Sequence, residues 1–275
     1  MAERIRRDIS SGDVYTTEFY YVEQVRNLKT STLRPRFKNE DERILHRTNM
    51  SRKNFTKLVN TNFTPQGIFW TLTFDDSHLP ENLEEAVKIR DKVWKKIRRN
   101  YPDGKIIWVM GYGKESKRLH FHVLTEKILP KYIKEIWTYG EIRRNDHLRE
   151  HNYYEDSNGN RIDFGRDYTG LANYLFGHWT EKLRPVCKHH YKASRNLQKP
   201  DTAKEEAKPI KINRYSKERP PKPPVGYKYV DFHYTKYGYM EFKYVRDRNL
   251  HDDLLHDTRA VYKPPEIYGD GEFLR

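Results

Sequence analysis

The chain has 275 residues and a formal net charge of +14, from 53 Lys+Arg against 39 Asp+Glu, room for one catalytic domain with flanking pieces. Its single cysteine, Cys187, excludes an intrachain disulfide and any Cys-based zinc knuckle. No stretch approaches the ~18 apolar residues of a membrane span, and the first residues, MAERIRRDISSGDVY, lack the apolar core of a signal peptide, which makes a cytoplasmic location the expectation.

Residues 1–65 are polar and basic and read as an extension packing on a core. Within them Asp13–Val22 has the character of a strand after the turn residues Ser10, Ser11 and Gly12. Ser51–Asn62 reads as a helix with Ser51 as its cap and Phe55, Leu58 and Val59 on its apolar side. Next come a strand at Ile68–Phe74, a helix at Leu83–Arg99 closed by Pro102, a strand at Lys105–Met110 and a turn-rich loop from Gly111 to Lys117. A strand at Arg118–Thr125, a short helix at Pro130–Thr138 and a strand at Glu141–Leu148 follow. The order β-α-β-β-α-β predicts an α+β, ferredoxin-like antiparallel sheet with both helices on one face and the other face free for a ligand.

Asp156–Asn160 is a turn, and a helix is expected over Tyr168–Lys182. Residues 66–200 thus form the expected catalytic domain. Residues 201–275 form a Lys/Pro-rich linker and a C-terminal hairpin, Val230–Thr235 with Met240–Val245.

The chemistry is concentrated in Leu119-His120-Phe121-His122-Val123. In a strand, alternate side chains share a face, so Leu119, Phe121 and Val123 point one way and His120 and His122 the other. Two imidazoles then stand about 7 Å apart along the strand, a spacing suited to joint ligation of one divalent ion. An excess of basic charge interleaved with 21 tyrosines and 5 tryptophans suits a nucleic acid, whose phosphates and bases these groups contact.

Three segments in order, Phe69-Trp70-Thr71-Leu72-Thr73-Phe74, the His-x-His strand, and Tyr168 to Leu175 opening a helix, resemble the motifs of the HUH endonuclease superfamily, in its rolling-circle replication initiator (Rep) branch of phages, plasmids and mobile elements. Ser194-Arg195-Asn196-Leu197 is similar to a box that follows the tyrosine helix in such initiators. The resemblance implies an HUH-type fold and metal-dependent nicking and joining of single-stranded or hairpin origin DNA through a covalent 5′-phosphotyrosine. His120 and His122 would hold Mn²⁺ or Mg²⁺, with two imidazoles favouring Mn²⁺. Tyr174 would be the nucleophile, with Tyr168 as the alternative. A host helicase and polymerase would be partners, and the bacterial cytoplasm the location.

Two departures from that pattern stand out. The lysine often found three residues after the tyrosine is Gly177 here, with His178 or Lys182 as substitutes. The carboxylate that often precedes the histidine pair is missing, leaving Glu115, Glu126, Asp75 or water as the third ligand. Rival readings are a non-catalytic RNA- or DNA-binding module on the same kind of sheet, a transposase of the same superfamily, and a two-histidine phosphoesterase, for which the required His-x-Thr/Ser motifs are absent. Cys187-Lys188-His189-His190 is too compact for a zinc site, and Asp252-Asp253 reads as solvated surface.

Overall fold

The computed structural model describes residues 3–23, 31–32, 39–113, 118–155, 161–187, 189–203, 209–210, 215–235 and 238–247. Glu115, Asp252 and Asp253, and the turn at 156–160, lie outside them. In chain order the elements are β1 (Glu3–Ser11), β2 (Val14–Glu23), β3 (Ser31–Thr32), α1 (Glu40–Asn62), β4 (Ile68–Thr73), α2 (Leu83–Asn100), β5 (Lys105–Tyr112), β6 (Leu119–Glu126), α3 (Pro130–Ile136), β7 (Ile142–His147), β8 (Asn152–Glu155), β9 (Arg161–Phe164), α4 (Thr169–Gly177), β10 (Lys192–Ala193), β11 (Asp201–Thr202), β12 (Pro209–Ile210), β13 (Tyr227–Tyr234) and β14 (Met240–Arg246). The chain divides into two compact units, each made of segments distant in sequence.

The first unit takes residues 1–61, 151–168 and 199–266. Its main sheet is antiparallel with strand order β11-β1-β2-β14-β13. The turn between β1 and β2 passes through Gly12 at φ +63, where a Cβ would stand 2.4 Å from the carbonyl oxygen of Asn60; only glycine fits that left-handed, crowded position. On β2, Glu18 points to α1 and is fully buried, bonded to both Lys57 and Arg7. Phe19, one residue on, points the other way and packs with Met240, Phe242 and Tyr244. The Lys/Pro-rich stretch lies against this second face: Tyr215 stacks on Phe19 at 5.3 Å, and the Tyr244 hydroxyl donates to the Pro221 carbonyl at 2.8 Å. The expected helix over 51–62 is longer, starting at Glu40. Its first turns bury nothing, so no apolar period marks them. They rest instead on Asn39, whose side chain accepts from the Glu42 N–H at 2.9 Å, and on three acidic residues beside the positive helix end.

The second unit takes residues 62–150 and 169–198, with the last nine residues. Its five-stranded sheet has the order β10-β5-β6-β4-β7, antiparallel throughout. The four strands of the β-α-β-β-α-β run therefore lie in the ferredoxin-like order, and β10 extends the edge. Trp70, Leu72, Trp108, Met110, Leu119, Phe121 and Val123 form one face and pack with Ala86, Val93 and Ile97 of α2 and Ile133 and Ile136 of α3. α2 starts at Asn82, whose side chain accepts from the Glu85 N–H at 2.9 Å.

The opposite face is not left open, contrary to the expectation above. All eight residues of β6 are buried, and α4 brings Tyr174 against Phe69 on that side. The helix expected over Tyr168–Lys182 is also shorter. It ends at Gly177, where the His178 N–H turns back to the Leu175 carbonyl at 3.3 Å, a tightened last turn that satisfies one of the end carbonyls. Among the described residues no helix is long and apolar enough to cross a membrane.

Candidate metal and tyrosine site

The strand register aligns the first two motifs. β6 lies between β4 and β5, with His122 opposite Thr71 and Val109, and His120 opposite Thr73 and Gly111. Period-2 alternation puts His120 and His122 on one face, while Leu119, Phe121 and Val123 enter the core on the other, as the sequence implied.

The two rings meet edge to face with their Nε2 atoms 3.0 Å apart. Protons are assigned here from the hydrogen-bond network. His120 Nδ1 lies 3.3 Å from the Arg118 carbonyl, which can only accept, so Nδ1 carries the hydrogen and Nε2 the lone pair. At His122, Nδ1 donates to the Thr71 hydroxyl at 3.1 Å, which again turns the Nε2 lone pair inward. Burial pushes the His120 imidazole below its ordinary pKa, with Arg143 adding to the effect against the Arg118 hydrogen bond; the ring is neutral, the form that ligates. Two lone pairs 3.0 Å apart repel unless a cation lies between them. A metal bound at about 2.1 Å from each nitrogen with a right angle between the bonds spans this separation.

His178 completes the group. Its ring centroid is 4.2 Å from that of His122 and 5.5 Å from that of His120, and one ligand atom from each of the three lies within 4.8 Å of the others. The sequence singled out His178 only as a stand-in for a phosphate-steadying lysine. Its place in the ligand group depends on two features that no local motif reveals: the helix stop after Gly177, and Gly111 across the sheet. A Cβ on Gly111 would come within 2.9 Å of His178 Nδ1 and 3.0 Å of its Cβ. Gly111→Ala is therefore expected to displace His178 while sparing the strand pairing. Isothermal titration with Mn²⁺ should show at least about a tenfold loss of affinity, the scale seen when the setting of a metal ligand is disturbed, and an unchanged circular dichroism spectrum. Thr71→Val, which keeps the shape and removes the hydroxyl, is expected to weaken Mn²⁺ by about 10- to 100-fold through the freed His122 tautomer; the same titration checks it.

The tyrosine reaches the same space. The Tyr174 hydroxyl is 3.3 Å from His122 Nε2, and its ring is 5.2 Å from His122 and 4.5 Å from His178. Tyr168, the alternative nucleophile, precedes α4 in the first unit; it is buried, and its N–H donates to the Asn60 side chain at 2.7 Å.

The proposed carboxylate ligands are engaged elsewhere. Glu126 is the fourth residue after His122, about 13 Å along the strand, and accepts from the Thr64 N–H at 2.6 Å. Asp75 caps a short 3₁₀ turn, accepting from Ser77 and from the His78 N–H at 2.8 and 2.9 Å. Among the described residues, the one group of three or more potential ligands close enough for a metal is this histidine triad. Of the Ser-Arg-Asn-Leu box, Ser194 and Asn196 have structural roles: the Ser194 hydroxyl accepts from the Ile106 N–H at 3.1 Å, and the Asn196 amide donates to the Asp103 carbonyl at 3.0 Å.

No curated protein and no solved structure matches the chain. The strands and helices that frame the histidine pair are nevertheless the part by which it is similar to known proteins: residues 67–156 match the model of the replication-associated protein family of the ORF2 type.

Proposed function

We propose that this protein is a replication initiator of the Rep type that nicks and rejoins single-stranded DNA through a covalent phosphotyrosine. The observation that carries the reading is the convergence of a phenol hydroxyl and three imidazoles, with Tyr174 3.3 Å from His122 Nε2. The match of residues 67–156 to a replication-associated family supports the replication role.

His120, His122 and His178 would hold the divalent ion, and a set of three imidazoles favours Mn²⁺ over Mg²⁺. The bound ion supplies Lewis-acid polarisation of the scissile phosphate. The chain's own residues do the rest. Phe69, packed 6.2 Å from the Tyr174 ring and 5.3 Å from that of His122, fixes the phenol against the histidines. Tyr174 Oη forms a bond to phosphorus as the bond from phosphorus to the 3′ oxygen breaks; the phenol loses its proton and the 3′ oxygen gains one. The 5′ end stays on the enzyme, and the free 3′-OH serves a host polymerase. Attack of a 3′-OH on the phosphotyrosine reverses the step and joins the strand. Origin DNA and a host helicase are the partners this implies, in the bacterial cytoplasm. The division of labour we propose along the sequence places the nicking chemistry within residues 66–200, flanked by 1–65 and 201–275.

The test uses a randomised single-stranded oligonucleotide pool labelled at its 3′ end. With Mn²⁺ the label should follow the protein through a denaturing gel, and a chelator should prevent this. Chelator-indifferent DNA binding with no labelled protein would favour a non-catalytic module instead.

A further inference from the structure

α2 carries a row of cations that the tyrosine site does not use. Lys88, Lys92, Lys95, Lys96 and Arg99 are all exposed. Their spacing, i, i+4, i+7, i+8 and i+11, gathers them on one side of the helix, opposite Ala86, Val93 and Ile97, which enter the core. The row is about 16 Å long at 1.5 Å per residue. None of the five is held in an ion pair among the described residues. The neighbouring cations behave differently: Arg90 and Lys192 both bind Asp91, at 2.8 and 2.7 Å, and Arg98 donates to the Gly104 carbonyl at 2.7 Å.

Like charges at i, i+3 and i, i+4 each cost a helix a few tenths of a kcal/mol. The row contains several such pairs, and an external polyanion would relieve all of them. It offers no aromatic side chain for stacking, since Trp94 is half-buried beneath Lys192. A single-strand platform needs such rings, whereas a duplex backbone, with one charge per ~1.7 Å, needs only cations. α2 packs on the sheet face opposite the histidines. The row therefore lies on the order of 20 Å from the metal site, through the thickness of a sheet and a helix.

We infer that this outer side of α2 binds the phosphate backbone of duplex DNA, without reading sequence, while the opposite face of the same sheet handles the single strand. The inference rests on the proposal that DNA is the substrate. It assigns the duplex flanking the nick to a surface of its own.

The test is the triple variant Lys92→Glu, Lys95→Glu, Lys96→Glu in the full chain. Binding to a blunt duplex is measured across a salt series, and adduct formation on a single-stranded oligonucleotide with Mn²⁺ is measured in parallel. The magnitude of the log K against log salt slope should fall by about 2 to 3, near 0.9 for each lost phosphate contact, with adduct formation retained. A second variant, Lys127→Glu, Lys131→Glu, Lys134→Glu, makes the same charge change elsewhere on the unit and should leave the slope in place. An unchanged slope in the first variant, an equal fall in both, or no duplex binding by the unaltered chain at low salt would overturn the inference. Absence of adduct with the slope still lowered would overturn the nicking proposal and leave the duplex surface standing.

Discussion

Replacing Tyr174 with phenylalanine is expected to abolish the covalent DNA adduct, a loss of more than about 10³-fold, as for removal of a nucleophile with no substitute. The substitution deletes one oxygen and keeps the ring, so the packing against Phe69, His122 and His178 remains. Mn²⁺ affinity should therefore stay as in the unaltered chain, which separates loss of the nucleophile from collapse of the site. Tyr168→Phe should retain the adduct. Transfer of the labelled oligonucleotide, followed by peptide mapping of the attached phosphate, checks both variants. An adduct that survives in Tyr174→Phe and disappears in Tyr168→Phe would reverse the assignment.

Glu18→Gln is expected to destabilise the first unit by about 3 kcal/mol, the lower end of the cost of breaking a buried ion pair by removing one partner. The side chain of Glu18 is 1% exposed and is shared by Lys57 and Arg7. Glutamine would leave Lys57 with only the more distant Glu241, at 3.9 Å, and Arg7 with no acidic partner among the described residues. Burial alone would raise the Glu18 carboxyl, but the two cations outweigh it and hold the pKa below the usual carboxylate range. The sign follows from linkage. A depressed folded-state pKa stabilises the fold above the unfolded value of about 4.3, and that contribution is lost as pH falls through the folded value. Urea denaturation at neutral pH should show the difference between variant and unaltered chain. The difference should shrink on acidification below about pH 4. A variant as stable as the parent at neutral pH would show that the buried triad contributes nothing.

The second unit was largely legible from the sequence because its strands alternate cleanly. Leu119, Phe121 and Val123 against His120 and His122 fix which face of β6 is core, and the order of elements from Ile68 to His147 fixes the sheet. The third imidazole was much less so. His178 follows a helix break, and its approach is set by Gly111, more than sixty positions earlier and across a strand pair; neither leaves a periodic trace. The first unit was harder still. It gathers three stretches of chain, and its strand β1, ERIRRDISS, looks like a polar extension because Arg6 and Arg7 are neutralised only in the folded state, by Asp8 and Glu18. The first half of α1 buries no side chain, so apolar period could not find it.

Counting the ligands of a bound ion bears most directly on the central claim, that three imidazoles surround one metal-sized space beside the phenol. Pulsed electron paramagnetic resonance of the Mn²⁺-loaded full chain resolves coupling to imidazole nitrogens. Three coupled imidazoles in the unaltered chain, and two in His178→Ala, are the predicted result. Two in the unaltered chain, unaffected by His178→Ala, would contradict the triad and return the third position to a carboxylate or water.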